Sequence, residues 1–223
     1  IDPASTTLII NVPRADPKET YPLLDIHEGL FGKQTVFADQ VAAANDTVCL
    51  KRVVIPIPIQ QAFYVGNFLT GCGASSIIRG YRDFLKDAYR IRSTESSKGE
   101  FRVTMVSRAT KFKRHFSNEY EVVKALHGEG RQVRVKVFSE MTLEEQFEVI
   151  ANTDLLVGAH GAGLFWLILL PRCGRVLELG TGADFHYQRL AKYSAIDHDF
   201  THQMTYHQAP YVEVDIPRFK EDL

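Results

Sequence analysis

Between residues 101 and 180, β-patterned and helix-patterned segments alternate, and strands joined through helices lie parallel to one another. FRVTMVS (101–107) alternates and is rich in β-formers, which predicts a strand. Asn118, with Glu121 three residues on, has the form of a capping box opening the helix EYEVVKALHG, which Gly128 and Gly130 would end. RQVRVKVFS (131–139) puts Val133, Val135 and Val137 on one face of a second strand. Thr142 and Glu145 form another capping pair, ahead of the helix LEEQFEVIANT. DLLVGAHG (154–161) reads as a short buried strand, AGLFWLILLP (162–171) as a buried helix stopped by Pro171, and GRVLELG (174–180) as the next strand. The fold class is α/β, with parallel sheets and right-handed crossovers.

The first part of the chain is less regular. TTLIINV (6–12) and DTVCLKRVVIPIPI (46–59) look like strands, and ASSIIRGYRDFLKDAYRI (74–91) like one long helix. RSTESSKGE (92–100) is polar and bare of apolar residues, which suits a connection between two lobes. The expected division is therefore a short or partial lobe over 1–95 and a second lobe over 96–223. Beyond Gly182 the chain is rich in His, Tyr and Phe and shows no orderly βαβ pattern.

Apolar residues at 45% and charged residues at 24% belong to an ordinary soluble globular chain, and a net charge of −1 gives no overall attraction to nucleic acid or anionic membrane. No signal peptide or transmembrane stretch is visible; the longest apolar run, Leu164 to Leu170, is far short of the roughly 20 residues a span needs. The chain begins at Ile1 rather than Met and reads as a piece of a longer protein. Cys49, Cys72 and Cys173 form no metal-spaced pair, and no His/Cys/Asp/Glu cluster has ligand spacing, so no metal is expected. Cys49 and Cys72 would pair in an oxidising compartment or remain buried thiols; Cys173 is expected to be a free core thiol. Asn45-Asp46-Thr47 is an N-glycosylation sequon.

Two glycine turns offer themselves as a site. Val176-Leu177-Glu178-Leu179-Gly180-Thr181-Gly182 reads like the first motif of an S-adenosylmethionine methyltransferase, but too little ordered chain follows it for that fold. The other turn, His160-Gly161-Ala162-Gly163, follows a predicted strand and opens a predicted helix, where backbone N–H groups can approach an anion closely. By itself it is equally a packing turn. The basic run SRATKFKRH (107–115), which holds Arg108 and Arg114, is either a solvated loop or a second anion-binding element. If the 101–107 and 154–158 strands are neighbours, Arg108 and the glycine turn face one cleft, and that pairing suits a nucleotide diphosphate.

RVTMVSRATKFKRHFSNEYEVVKAL, followed by FEVIANTDLLVGAHGAGLFWLILLPRCGRVLEL, resembles the catalytic region of glycosyltransferase family 61. The likeness lies in a strand ending in Ser-Arg, a basic loop leading to Asn-Glu, the HGAGL turn and a closing strand with a central Glu. It extends over roughly residues 45 to 219. The resemblance implies a GT-B-like fold of two Rossmann-like lobes, the first (acceptor-side) one incomplete here. The second would bind the nucleotide sugar. It implies an inverting transferase without metal or other cofactor, using a UDP-sugar. In the branch it resembles most, UDP-GlcNAc is the donor and Ser/Thr hydroxyls of folded EGF-like domains accept, in the endoplasmic reticulum lumen of the secretory pathway. The same likeness favours a Cys49–Cys72 disulfide and glycosylation at Asn45.

Carried over by position, Arg108, Arg114 and His160 with Gly161, Ala162 and Gly163 would contact the diphosphate, Arg108 and His160 as the catalytic pair. Glu178 would face the uridine or its ribose, or be a strand-end carboxylate with a backbone partner. Arg79, in a family-like helix, would face the cleft or form a surface ion pair. Two stretches depart from the family. GLFGKQTVF (29–37) lacks an acidic triplet, and Phe165-Trp166 stands where the family has Thr-Asn or Thr-His, which bears on acceptor recognition. His27, Glu28 and Asp39 are available as general base, none with a motif behind it. KEDL at the end is read as a coincidental likeness to a retention signal. The rival readings are another UDP-sugar such as UDP-xylose on a glycan, a methyltransferase, and a non-catalytic binding remnant.

Overall fold

Residues 1–57 and 58–223 form two compact units. The computed structural model describes residues 7–10, 28, 35–37, 74–94, 100–108, 114–128, 131–180, 186–201, 211–221 and 223. Asn45, Cys49 and Cys72, and the strand expected over 46–59, lie outside the described residues, as do His27 and Asp39. In the first unit, β1 (Leu8–Ile10) pairs in parallel with β2 (Thr35–Phe37).

Among the described residues the second unit starts with α1 (Ser76–Ala88), whose N-cap Ser75 accepts from the Ile78 N–H. This helix, read from sequence as part of the first lobe, lies with the second unit: the Ser75 N–H donates to the Tyr193 carbonyl (2.7 Å). Next come β3 (Phe101–Ser107), the short β4 (His115–Phe116), α2 (Glu119–Leu126) and β5 (Arg131–Val137). A 3₁₀ turn (Phe138–Glu140) leads to α3 (Leu143–Ala151), then β6 (Leu155–Ala159), a 3₁₀ helix (Ala162–Leu169) and β7 (Arg175–Leu179). The chain closes with α4 (His186–Ser194), β8 (Asp197–Thr201), β9 (Tyr211–Val212) and α5 (Ile216–Glu221).

Five strands make one parallel sheet in the order β5-β3-β6-β7-β8. Helices cover both faces, as a parallel sheet requires. On one face Val103, Met105, Leu155, Val157, Ala159, Leu177 and Leu179 pack with Val122 and Leu126 of α2 and Phe219 of α5. The other face carries α1, α3, α4 and the 3₁₀ helix. This is the expected Rossmann-like α/β architecture, and the chain direction explains it. From β3 the chain steps one way to β5, whereas from β6 onward it steps the other way, so a constant crossover hand moves the helices to the opposite face.

Five local expectations change. The tail beyond Gly182 does continue the βαβ pattern, through α4 and β8. Its strand DHDFT is hard to recognise because β8 is a sheet edge, where charges such as exposed Asp197 and Asp199 are favoured. Asn118 makes no capping bond to α2. Its amide acts as a peptide group instead, with Nδ2 donating to the Val214 carbonyl (2.7 Å) and Oδ1 accepting from the Val214 N–H (3.0 Å). Val135 is 41% exposed because β5 is the other sheet edge. AGLFWLILL winds as a 3₁₀ helix, not an α-helix; Leu164 and Trp166 to Leu169 are all buried, so packing holds it. Cys173 is free but exposed, in the turn after that helix with φ 65°, not a core thiol.

Thr142, by contrast, makes the full capping box with Glu145. Trp166 is a core residue: its Nε1 donates to Gln146 Oε1 (3.0 Å), and its ring meets Phe147 edge-on at 4.6 Å. Trp166 thus serves packing in this chain.

Candidate active site

β3 and β6 are neighbours whose connections leave in opposite directions, which makes a topological switch point; ligands of open α/β sheets bind outside the carboxyl ends of the strands there. Two of the residues predicted for the site stand at those ends. Arg108 follows β3 directly, and His160 follows β6, with its N–H continuing the ladder to the Leu179 carbonyl (2.9 Å).

Gly161 joins them. Its φ of 156° and ψ of 175° belong to a region open essentially to glycine alone, and a Cβ there would overlap the Arg108 guanidinium and lie 3.5 Å from Arg114 Nη1. Arg114, itself at φ 68°, donates from Nη1 to the His160 carbonyl (2.6 Å). Two guanidinium groups thus sit against one turn. The first i→i+3 bond of the 3₁₀ helix runs from the Leu164 N–H to the Gly161 carbonyl (2.9 Å), so the amides of Ala162 and Gly163 precede the helical bonding. Gly163 has a packing duty as well, since its Cβ would lie 3.1 Å from Val106 Cγ1.

The second glycine turn is part of the same assembly. A Cβ on Gly180 would meet His160 Cβ at 3.2 Å, so the absent side chain lets β7 support the histidine. Glu178, on β7, is 2% exposed, and both carboxylate oxygens are engaged: Oε1 by His160 Nδ1 and Oε2 by His198 Nε2 at 2.7 Å. Burial pushes this carboxyl up, but the hydrogen bonds and charges of His160 and His198 outweigh that and hold it below its usual range. The partners of both oxygens are imidazoles rather than the backbone group that the sequence left open as an alternative.

Tyr187 of α4 lies edge-on to the His160 ring at 5.2 Å, and His186 is tilted against it at 5.9 Å. The Tyr187 phenol is pushed up to about 12, by burial and then by the Glu178 charge, with Arg114 and Arg108 pulling the other way. These groups share one electrostatic field. Sequence reasoning missed His186, Tyr187 and His198; their signal was the histidine-rich tail, which became meaningful only once α4 and β8 joined the sheet.

Arg79 is exposed on α1, and among the described residues no hydrogen bond or ion pair joins it to the cluster. Glu28 is half-buried and belongs to the first unit. Among the described residues no group of three or more His, Cys, Asp or Glu side chains could hold a metal ion, and no helix is long and apolar enough to cross a membrane. A concavity of about 680 Å³ lies elsewhere, lined by Arg102, Arg134, Lys136, Glu145, Glu148 and Asn152. Its cations are matched by carboxylates and Arg102 is committed to Asp154 (2.9 Å), whereas the switch-point cluster sets two guanidinium groups against one glycine turn.

The model of the family Glycosyltransferase 61 matches residues 12–177, well over half of the chain. The chain belongs to glycosyltransferase family 61. The span matched to the family carries Arg108, Arg114 and the His160–Gly163 turn, and ends just before Glu178. Among curated relatives, the EGF domain-specific O-linked N-acetylglucosamine transferase of Drosophila melanogaster is 32% identical over 136 residues, covering 59% of this chain and 26% of the relative. The proteins of that name from Gallus gallus (31% over 139 residues) and Rattus norvegicus (32% over 139 residues) cover the same shares. The chain therefore spans about a quarter of the length of these relatives. The family 61 chain places its methyltransferase-like motif on the fourth strand of five, where the motif's Glu178 is closed off by imidazoles.

Proposed function

We propose that this chain carries the donor-binding part of an inverting, metal-independent glycosyltransferase that takes a UDP-sugar, UDP-GlcNAc first among them. The observation that carries the reading is the convergence of Arg108, Arg114 and the His160–Gly163 turn at the switch point between β3 and β6. As the bond from sugar to diphosphate breaks, negative charge grows on the departing UDP. Fixed cations and amides at that position stabilise the charge without reorganising, the role a metal plays in other transferases. The names of the relatives support Ser/Thr hydroxyls of EGF-like domains as acceptors, and with them the endoplasmic reticulum lumen as the compartment. The acceptor hydroxyl loses its proton to a base outside this cluster.

Calorimetric titration in the presence of EDTA tests the reading. UDP and UDP-GlcNAc should bind, and S-adenosylmethionine should not. Binding of S-adenosylmethionine alone, or UDP binding that needs added Mn²⁺, would contradict it.

A further inference from the structure

His198 belongs to an edge strand beyond the span matched to the family, yet its imidazole completes a buried chain that ends in the crevice. The Glu178 carboxylate, ionised at neutral pH, accepts only, so both rings must donate to it: His160 from Nδ1 and His198 from Nε2. The His198 side chain is 5% exposed, and its Nδ1 is buried without a partner among the described residues. His198 therefore meets the carboxylate through its Nε2–H.

A carboxylate with one partner turns easily, because the terminal torsion of Glu is broad. A second partner on the other oxygen removes that freedom. The remaining contacts on His160 are already fixed: Arg114 holds its carbonyl, Gly180 lies under its Cβ, and Tyr187 meets its ring. We propose that His198 is a positioning residue for His160: by locking Glu178, it holds the Nδ1–H of His160 on the carboxylate and the ring in one orientation, with Nε2 left for the crevice, where it donates to an anionic ligand when it too carries a proton. Only the identity of that ligand, a nucleotide diphosphate, rests on the function proposed above.

The test combines ¹⁵N-histidine NMR of the ligand-free chain with UDP titration of His198→Ala and His198→Gln. In the unsubstituted protein, His198 should carry a proton on Nε2 and His160 a proton on Nδ1. His198→Ala should mix the His160 tautomers and raise the Kd for UDP on the order of 10–100-fold, the scale seen when a metal-bound histidine loses its outer partner. Glutamine keeps an N–H donor, so His198→Gln should recover the tautomer and most of the affinity, which a purely structural role would not require. A His198 with no proton on Nε2, or a His160 tautomer unchanged in folded His198→Ala, would overturn the proposal. If His198→Ala does not fold, the unsubstituted protein and His198→Gln decide by the same criteria. Correct tautomers without any UDP binding would instead count against the nucleotide reading and leave the positioning role standing.

Discussion

Arg108 and Gly161 are one device: the missing Cβ of the glycine is where the guanidinium lies. Charged hydrogen bonds to a ligand contribute about 1.5–3 kcal/mol each, so Arg108→Ala should weaken UDP binding by that order, with the circular dichroism unchanged. Unaltered affinity in the folded variant would remove Arg108 from the site. Glu178 makes a second residue-scale prediction. Its folded carboxyl is held below the ordinary value of 4.5, so it contributes stability that is present above that value and lost as pH falls through the folded value. The stability gap between the unsubstituted protein and Glu178→Gln should therefore be widest near neutrality and shrink in acid, as followed by denaturant unfolding. A gap that stays constant from neutral to acid pH would mean that Glu178 is not ionised in the folded chain.

At the scale of elements, legibility followed burial. β3, β6 and β7 lie inside the sheet, and their apolar runs announced them within a residue or two. The α3 start was equally plain, because Thr142 and Glu145 form a reciprocal bond that depends on local sequence alone. Asn118 carries the same pattern, but its amide is taken by Val214, almost a hundred residues away, and no local rule anticipates that. β8 was hidden for the opposite reason. An edge strand needs few apolar side chains, so Asp197, His198 and Asp199 looked like loop. With β8 unrecognised, His198 had no strand to place it beside Glu178. Arg108 and the glycine turn were legible because each directly follows an interior strand; the buried imidazole pair was not, because it depends on which strand lies outermost.

For the whole molecule, strand order is what turns scattered motifs into a site. In the order β5-β3-β6-β7-β8, the ends of β3 and β6 open on one crevice, and the basic residues after one strand meet the glycine turn after the other. The concavity beside β5 and α3 is the competing location for a ligand, and it lies beside different residues. The most direct test is therefore spatial: titrate the ¹⁵N-labelled chain with UDP and follow its backbone amides. The account predicts that the largest saturable shifts fall on Arg108, Gly161, Ala162 and Gly163, with Thr94, Arg134 and Asn152 unmoved. Shifts centred on the latter three, or none anywhere at millimolar UDP, would contradict it.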